Sequence, residues 1–227
     1  MATQVQTARG AASGFGPTVA WGSGTTLGNL LVAVVLHGGG ADEGPGTITG
    51  YTLVSHEFID GGGNESIQVF AKIAGAGDAS PQYVHSSSLG RAIHMHIVEF
   101  SDLGQAGGIS TAESVASYNH DTEATLDNSA WVTGPLTGTG LMIWAYVCNG
   151  TTNSSGWTLD SDFTLLAQPL NNQEGSIVGW KDSAAAESPS ANGGNGRSGI
   201  STLTNVQDAA GGGGRSWSKR GRIQGWN

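Results

Sequence analysis

His94 and His96 stand two residues apart in the stretch 91–100. That stretch alternates as a strand does, with Ile93, Met95 and Ile97 on one face and His94, His96 and Val98 on the other. Two imidazoles on one strand face can supply half of a tetrahedral zinc site. The sequence identifies no third ligand, so the pair is expected to face solvent or an interface. Asp160 and Asp162 also lie two apart, next to Trp157 in a turn-like setting, and could offer oxygens to calcium. The remaining spaced acids of a calcium loop are missing there, as they are around Asp121 and Glu123. No metal is expected at either place.

Catalytic signatures are missing as well. No serine lies in Gly-x-Ser-x-Gly, and neither Gly-x-x-x-x-Gly-Lys-Ser/Thr nor His-Glu-x-x-His occurs. Cys148 is the single cysteine, so no intrachain disulfide forms. Its place in an apolar run predicts a buried, inert thiol. Lys72 and Lys181 are expected to mark strand ends. Acids number eighteen, but nothing selects the facing pair that glycoside hydrolysis needs. The chain is therefore expected not to be an enzyme and to need no cofactor.

Aromatic residues offer a different chemistry, since ring faces stack on sugars. Of the seven tryptophans, Trp131, Trp144, Trp157 and Trp180 fall in or near expected strands, where core packing explains them. Trp21, Trp217 and Trp226 do not. The last two share residues 215–227 with Arg215, Lys219, Arg220 and Arg222, beyond the hinge Gly211-Gly212-Gly213-Gly214. This basic, aromatic tail is expected to dock on an acidic surface of a neighbouring subunit, a second copy of the chain included.

The charge balance limits partners further. The net charge is −9, and residues 1–214 hold eighteen acids against five bases, a balance of −13. A body of that sign argues against nucleic acid, because phosphate binding needs clustered Lys and Arg. Residues 1–10 lack the charged and apolar regions of a signal peptide. No apolar stretch approaches the length of a membrane-spanning helix, and no membrane association is expected. The Asn-x-Ser/Thr sites at Asn64, Asn149 and Asn153 are read as chance.

Any element that positions these residues is expected to be a strand. Glycine numbers 38 of 227 residues, clustered between short apolar runs with no Gly-X-Y period. The longest clean run, Leu30 to Leu36, has no alternation, as in a strand covered on both faces. A similar run returns at Leu141 to Val147. Gly50-Tyr51-Thr52-Leu53, Lys72, Asp78 and Pro81 follow the first copy. Gly156-Trp157-Thr158-Leu159, Lys181, Glu187 and Pro189 follow the second, about 110 residues later.

These landmarks predict an all-β chain: one antiparallel β-sandwich built from two similar half-repeats, with two tandem small sandwiches as the alternative. Residues 1–24 are expected to form an N-terminal arm or edge strand. Residues 25–208 are expected to form the sandwich, in halves of about 25–104 and 105–208. Residues 209–227 are the hinge and tail.

The Gly-Asn-Leu-Leu-Val-Ala strand at Gly28, the Gly-Tyr/Trp-Thr-Leu strands, and a lysine followed by an Ala- and Gly-rich acidic stretch resemble a family of β-sandwich proteins. These occur in tailed bacteriophages and bacterial genomes and are described as virion structural, minor tail or surface-exposed proteins. The resemblance spans residues 28–206. It implies a jelly-roll-like sandwich on the surface of a capsid or tail, in contact with other virion proteins and with copies of itself. It supplies no catalytic residue. A carbohydrate-binding or host-receptor adhesin, bound to a cell-surface glycan, is the alternative. It predicts exposed aromatics on one face or at loop tips near Asp42, Asn64 and Asn153.

Overall fold

Each of the two apolar runs becomes the middle strand of a five-stranded sheet. A computed structural model of the chain describes residues 2–37, 44–58, 65–86, 89–101, 114–119, 131–132, 140–149, 158–159, 162–167, 174–183, 185, 187, 189–192 and 199–206. These residues contain strands and no helix. The first half supplies β1 (Thr3–Gly14), β2 (Leu30–His37), β3 (Thr47–Ile48), β4 (Thr52–Phe58), β5 (Ser66–Ile73), β6 (Tyr83–Val84) and β7 (Leu89–Ser101). The second supplies β8 (Ser114–Asn119), β9 (Trp131–Val132), β10 (Gly140–Asn149), β11 (Thr158–Leu159), β12 (Thr164–Ala167), β13 (Glu174–Ser183), β14 (Ser190–Asn192) and β15 (Gly199–Val206). Every strand pairing among them is antiparallel.

The first sheet runs β1-β7-β2-β5-β4, and the second, read from β8, runs β8-β15-β10-β13-β12. Both place their strands in the same order relative to the chain. The small ladders follow suit. β3 pairs with β6, and Thr18 bridges Gln82 beside them. β11 pairs with β14, which pairs with β9. Edge strands β4 and β12 each carry a bulge at the same place, Leu53/Ser55 and Leu165/Ala167. The bulge turns Val54 and Leu166 into the interior.

One apolar cluster lies between the two large sheets. Leu30, Val32, Val34 and Leu36 enter it from β2, and Leu141, Ile143, Ala145 and Val147 from β10. Phe100 meets Trp180 across the gap, ring centroids 4.9 Å apart and edge to face. Ser55 and Thr204 share a hydrogen bond of 2.9 Å between the sheets. The opposite face of the first sheet is also buried. Ala33, Val35, Phe70, Met95 and Ile97 lie there under Val19, Ile48 and Tyr83. That double cover is why Leu30–His37 shows no alternation. Gly16 and Gly46 make the cover possible: a Cβ on either would come within 2.6 Å of Tyr83.

Within residues 1–24, expected as an arm or edge strand, Thr3–Gly14 form the edge strand β1, bonded along β7. One sequence expectation takes a different shape. The match between Gly50-Tyr51-Thr52-Leu53 and Gly156-Trp157-Thr158-Leu159 is offset. Thr52 opens β4 in a large sheet, whereas Thr158 opens β11 in a small one. The strand in the place of β4 is β12, preceded by Phe163 as β4 is preceded by Tyr51. Gly-aromatic-Thr-Leu suits any strand entry, so the local pattern does not say which strand begins.

Because side chains from both halves fill one cluster, the halves are expected to unfold together. Urea transitions followed by tryptophan fluorescence and by far-ultraviolet circular dichroism should coincide. Leu30→Ala and Leu141→Ala, one in each sheet, should each lower the stability of the whole by about 2–5 kcal/mol. Two resolved transitions, with each substitution moving only one, would show two independent cores.

Candidate functional site

The histidine pair lies where a solvent or interface role has no access. His94 and His96 are 2% and 1% exposed and face the gap between the sheets, in register with Leu36 and Val34 of β2. The face expected to be wet is the inner one. Alternation misled because the first sheet is covered on both sides. His94 Nδ1 lies 3.4 Å from Ser176 Oγ on β13. Both ring nitrogens of His96 lack a hydrogen-bond partner among the described residues. Burial holds both imidazoles below the ordinary histidine pKa. For His96 the value falls to about 3, through burial first and then the neighbouring His94 and Arg9. Arg9 stands opposite His96 on β1. Among the described residues no three His, Cys, Asp or Glu side chains gather at one point.

Lys72 and Lys181 occupy matching stations. Lys72 pairs in register with Leu31, and Lys181 with Met142, each one residue beyond the leucine that opens the apolar run. Each ammonium lies over a ring, Tyr51 at 5.9 Å and Phe163 at 5.8 Å. Each bonds the acid six residues later: Lys72 to Asp78 at 2.5 Å and Lys181 to Glu187 at 2.8 Å. Asp78 also accepts the Gly75 N–H at 2.7 Å, and Glu187 the Ser183 hydroxyl. Burial alone would raise both acids. Bonds from lysine and from Gly75 or Ser183 outweigh it and hold both below the usual carboxylate range. The Glu187 hydrogen bond raises Lys181 above the usual lysine value. The phenol of Tyr51 is raised by burial and by Asp78. Each lysine thus pins the turn after its strand, which gives a physical reason for the spacing seen in the sequence.

Asp162, one of the two candidate calcium ligands, sits 3.6 Å from Lys181 Nζ. Its carboxylate therefore faces a cation. Asp160, Asp121 and Glu123 lie outside the described residues, as do Trp157 and the whole tail with Arg215, Trp217, Lys219, Arg220, Arg222 and Trp226. The side chains of Cys148 and Trp131 lie outside them too. Trp144 is fully buried beside Tyr146. Trp180 is half-buried and donates its Nε1–H to Gln4 Oε1 at 2.9 Å. Trp21 packs on the outer cluster of the first sheet. These three indoles are packing elements.

One buried group went unnoticed in the sequence. Glu99 is fully buried and gathers the N-terminal region around itself. It accepts from Gln6 Nε2 at 2.5 Å, Thr26 N at 2.8 Å and Asn29 Nδ2 at 2.6 Å. Burial raises its pKa, and the hydrogen bonds from Gln6, Thr26 and Asn29 lower it further than burial raises it. The available signal was a carboxylate between Val98 and Phe100 inside an apolar strand. Such a group must find donors or lose its charge. The arrangement as a whole binds the chain to itself: the acids hold turns and loops, and the histidines fill the core.

Acid should weaken the fold in two stages. A histidine with a depressed folded pKa stays neutral in the fold while the unfolded chain takes up its proton. Its contribution is therefore complete above about pH 6.5 and declines by about 1.4 kcal/mol per pH unit below that. His96→Leu should flatten this slope in urea midpoints measured from pH 7.5 down to pH 4. Asp78 and Glu187 act lower, their contribution being complete above about pH 4 and lost as pH falls through their depressed values. Glu187→Gln should cost about 1 kcal/mol at neutral pH and little at pH 2. An unchanged slope in His96→Leu would contradict the buried neutral imidazole. Compared with protein-family models, curated proteins and solved structures, the chain matches none.

Proposed function

We propose that this chain is a non-enzymatic structural subunit of a bacteriophage virion, a β-sandwich displayed on the surface of a tail or capsid and in contact with other virion proteins and copies of itself. The observation that carries the reading is where the reactive side chains are spent. His94, His96, Glu99, Lys72, Asp78, Lys181 and Glu187 all serve the interior or its turns. Two facing sheets with a shared core make a stiff body suited to an outer shell. Resemblance to phage surface proteins supplies the virion context.

The matching strand orders, bulges and lysine stations support two half-repeats that arose from one unit. A jelly-roll-like winding has less support, because each large sheet is drawn from one half of the chain. The adhesin alternative gains nothing from the described tryptophans, which are packed. Residues 215–227 remain the proposed assembly element, a basic segment for the acidic surface of a neighbour.

Particles purified from cells carrying this gene should contain the chain, and antibodies to it should label intact particles. Its absence from purified particles would overturn the virion reading. In solution, the full chain should assemble, and cutting it after Gly214 should reduce the mass of the assembly. A mass unaffected by the cut would remove the tail from the assembly role.

A further inference from the structure

We infer that the open edge of β1 is a docking edge for β1 of a second copy, paired antiparallel into a continuous ten-stranded sheet. The inference deepens the structural-subunit reading and rests on it. Each sheet edge presents unpaired backbone groups, and proteins blunt such edges with short strands, bulges and charges. Among the described residues, three of the four edges of the two large sheets are blunted. β4 has a bulge and Glu57, β12 is four residues long with a bulge, and β8 is six residues long. β1 runs twelve residues, and its ladder with β7 is regular from residue 6 to residue 13. That regular stretch spans roughly 26 Å. Among the described residues β1 pairs only with β7.

Charge and shape both select a second copy as the occupant. Residues 1–41 contain no acid in a chain of net charge −9, and Arg9 is their only formal charge. This edge is where two copies can approach with least repulsion. An antiparallel pairing centred on Gly10 sets Thr7 of one copy beside Ser13 of the other, twice, within that regular stretch. It also places glycine opposite glycine at the dyad and Arg9 opposite Ala11. Opposed residues in such a pairing share a face, and the face-preserving two-fold keeps both sandwiches on the same side of the joined sheet. Exposed Thr7, Ala11 and Ser13 leave room for a neighbouring strand.

Light-scattering mass measured over a wide concentration range tests this with the full chain. The wild type should form a dimer or a multiple of it. The pair Thr7→Lys and Ala11→Lys, both exposed, should break it while the circular dichroism stays unchanged. Thr52→Lys on the β4 edge should leave the mass unchanged. In the assembled protein, hydrogen exchange should show amides between residues 6 and 13 that lose protection in the lysine variant. A folded wild type that stays monomeric would overturn the inference, as would an assembly that survives both lysines. An assembly dissolved only by the cut after Gly214 would also overturn it, and would leave the virion reading standing, since that reading is decided on purified particles.

Discussion

Leu30–His37 is buried along its whole length, and the rest of the structure follows from having to cover it. A strand that is apolar on both sides cannot sit in a two-layered protein with one wet face. It needs a second large sheet beneath and a lid above. β10 and its neighbours provide the first, through an apolar cluster shared by both halves. The segment from Phe15 to Leu27, with β3 and β6, provides the second. Its Val19, Ile48 and Tyr83 close over the outer face of the first sheet. Each large buried aliphatic side chain contributes about 1.5–3 kcal/mol relative to exposure. Many small strands are thereby committed to two central ones.

Covering both faces traps polar groups, and the chain treats them in different ways. Glu99 keeps its charge because three donors converge on it, and in doing so it fixes Thr26 and Asn29 at the entrance to β2. Lys72 and Lys181 each lie against a ring and an acid, with their side chains partly buried. His94 and His96 take the opposite course, and burial keeps them neutral. The difference lies in the group. A carboxylate or ammonium in an apolar setting needs partners, whereas an imidazole can give up its charge at modest cost near neutral pH.

The two halves also differ where they meet. His94 approaches Ser176, while the matching positions in strand order are Ile200 and Ile67, both apolar. Ser55 and Thr204 share a hydrogen bond where the counterparts are Ala167 and Val98. Among the described residues, these two polar contacts are not repeated at the matching positions of the other half.

Much of this was legible in the residues themselves. Glycine clusters and short apolar runs determined the strand class. The uninterrupted run from Leu30 to Leu36 determined double burial. The equivalent places of Lys72 and Lys181 in the two halves marked them as strand-end residues, because a strand end and the turn after it are local. Three matters were decided only by tertiary structure. The face of β7 that carries His94 and His96 turned inward, since alternation distinguishes two faces without saying what covers each. Thr158 and Leu159 joined a small sheet, since Gly-aromatic-Thr-Leu describes a strand entry and not a partner. Glu99 became the anchor of the N-terminal region because Gln6, Thr26 and Asn29 converge on it from separate parts of the chain. Sequence determines local conformation through short-range sterics and burial through composition. Which residues meet across long separations depends on how the sheets are laid together.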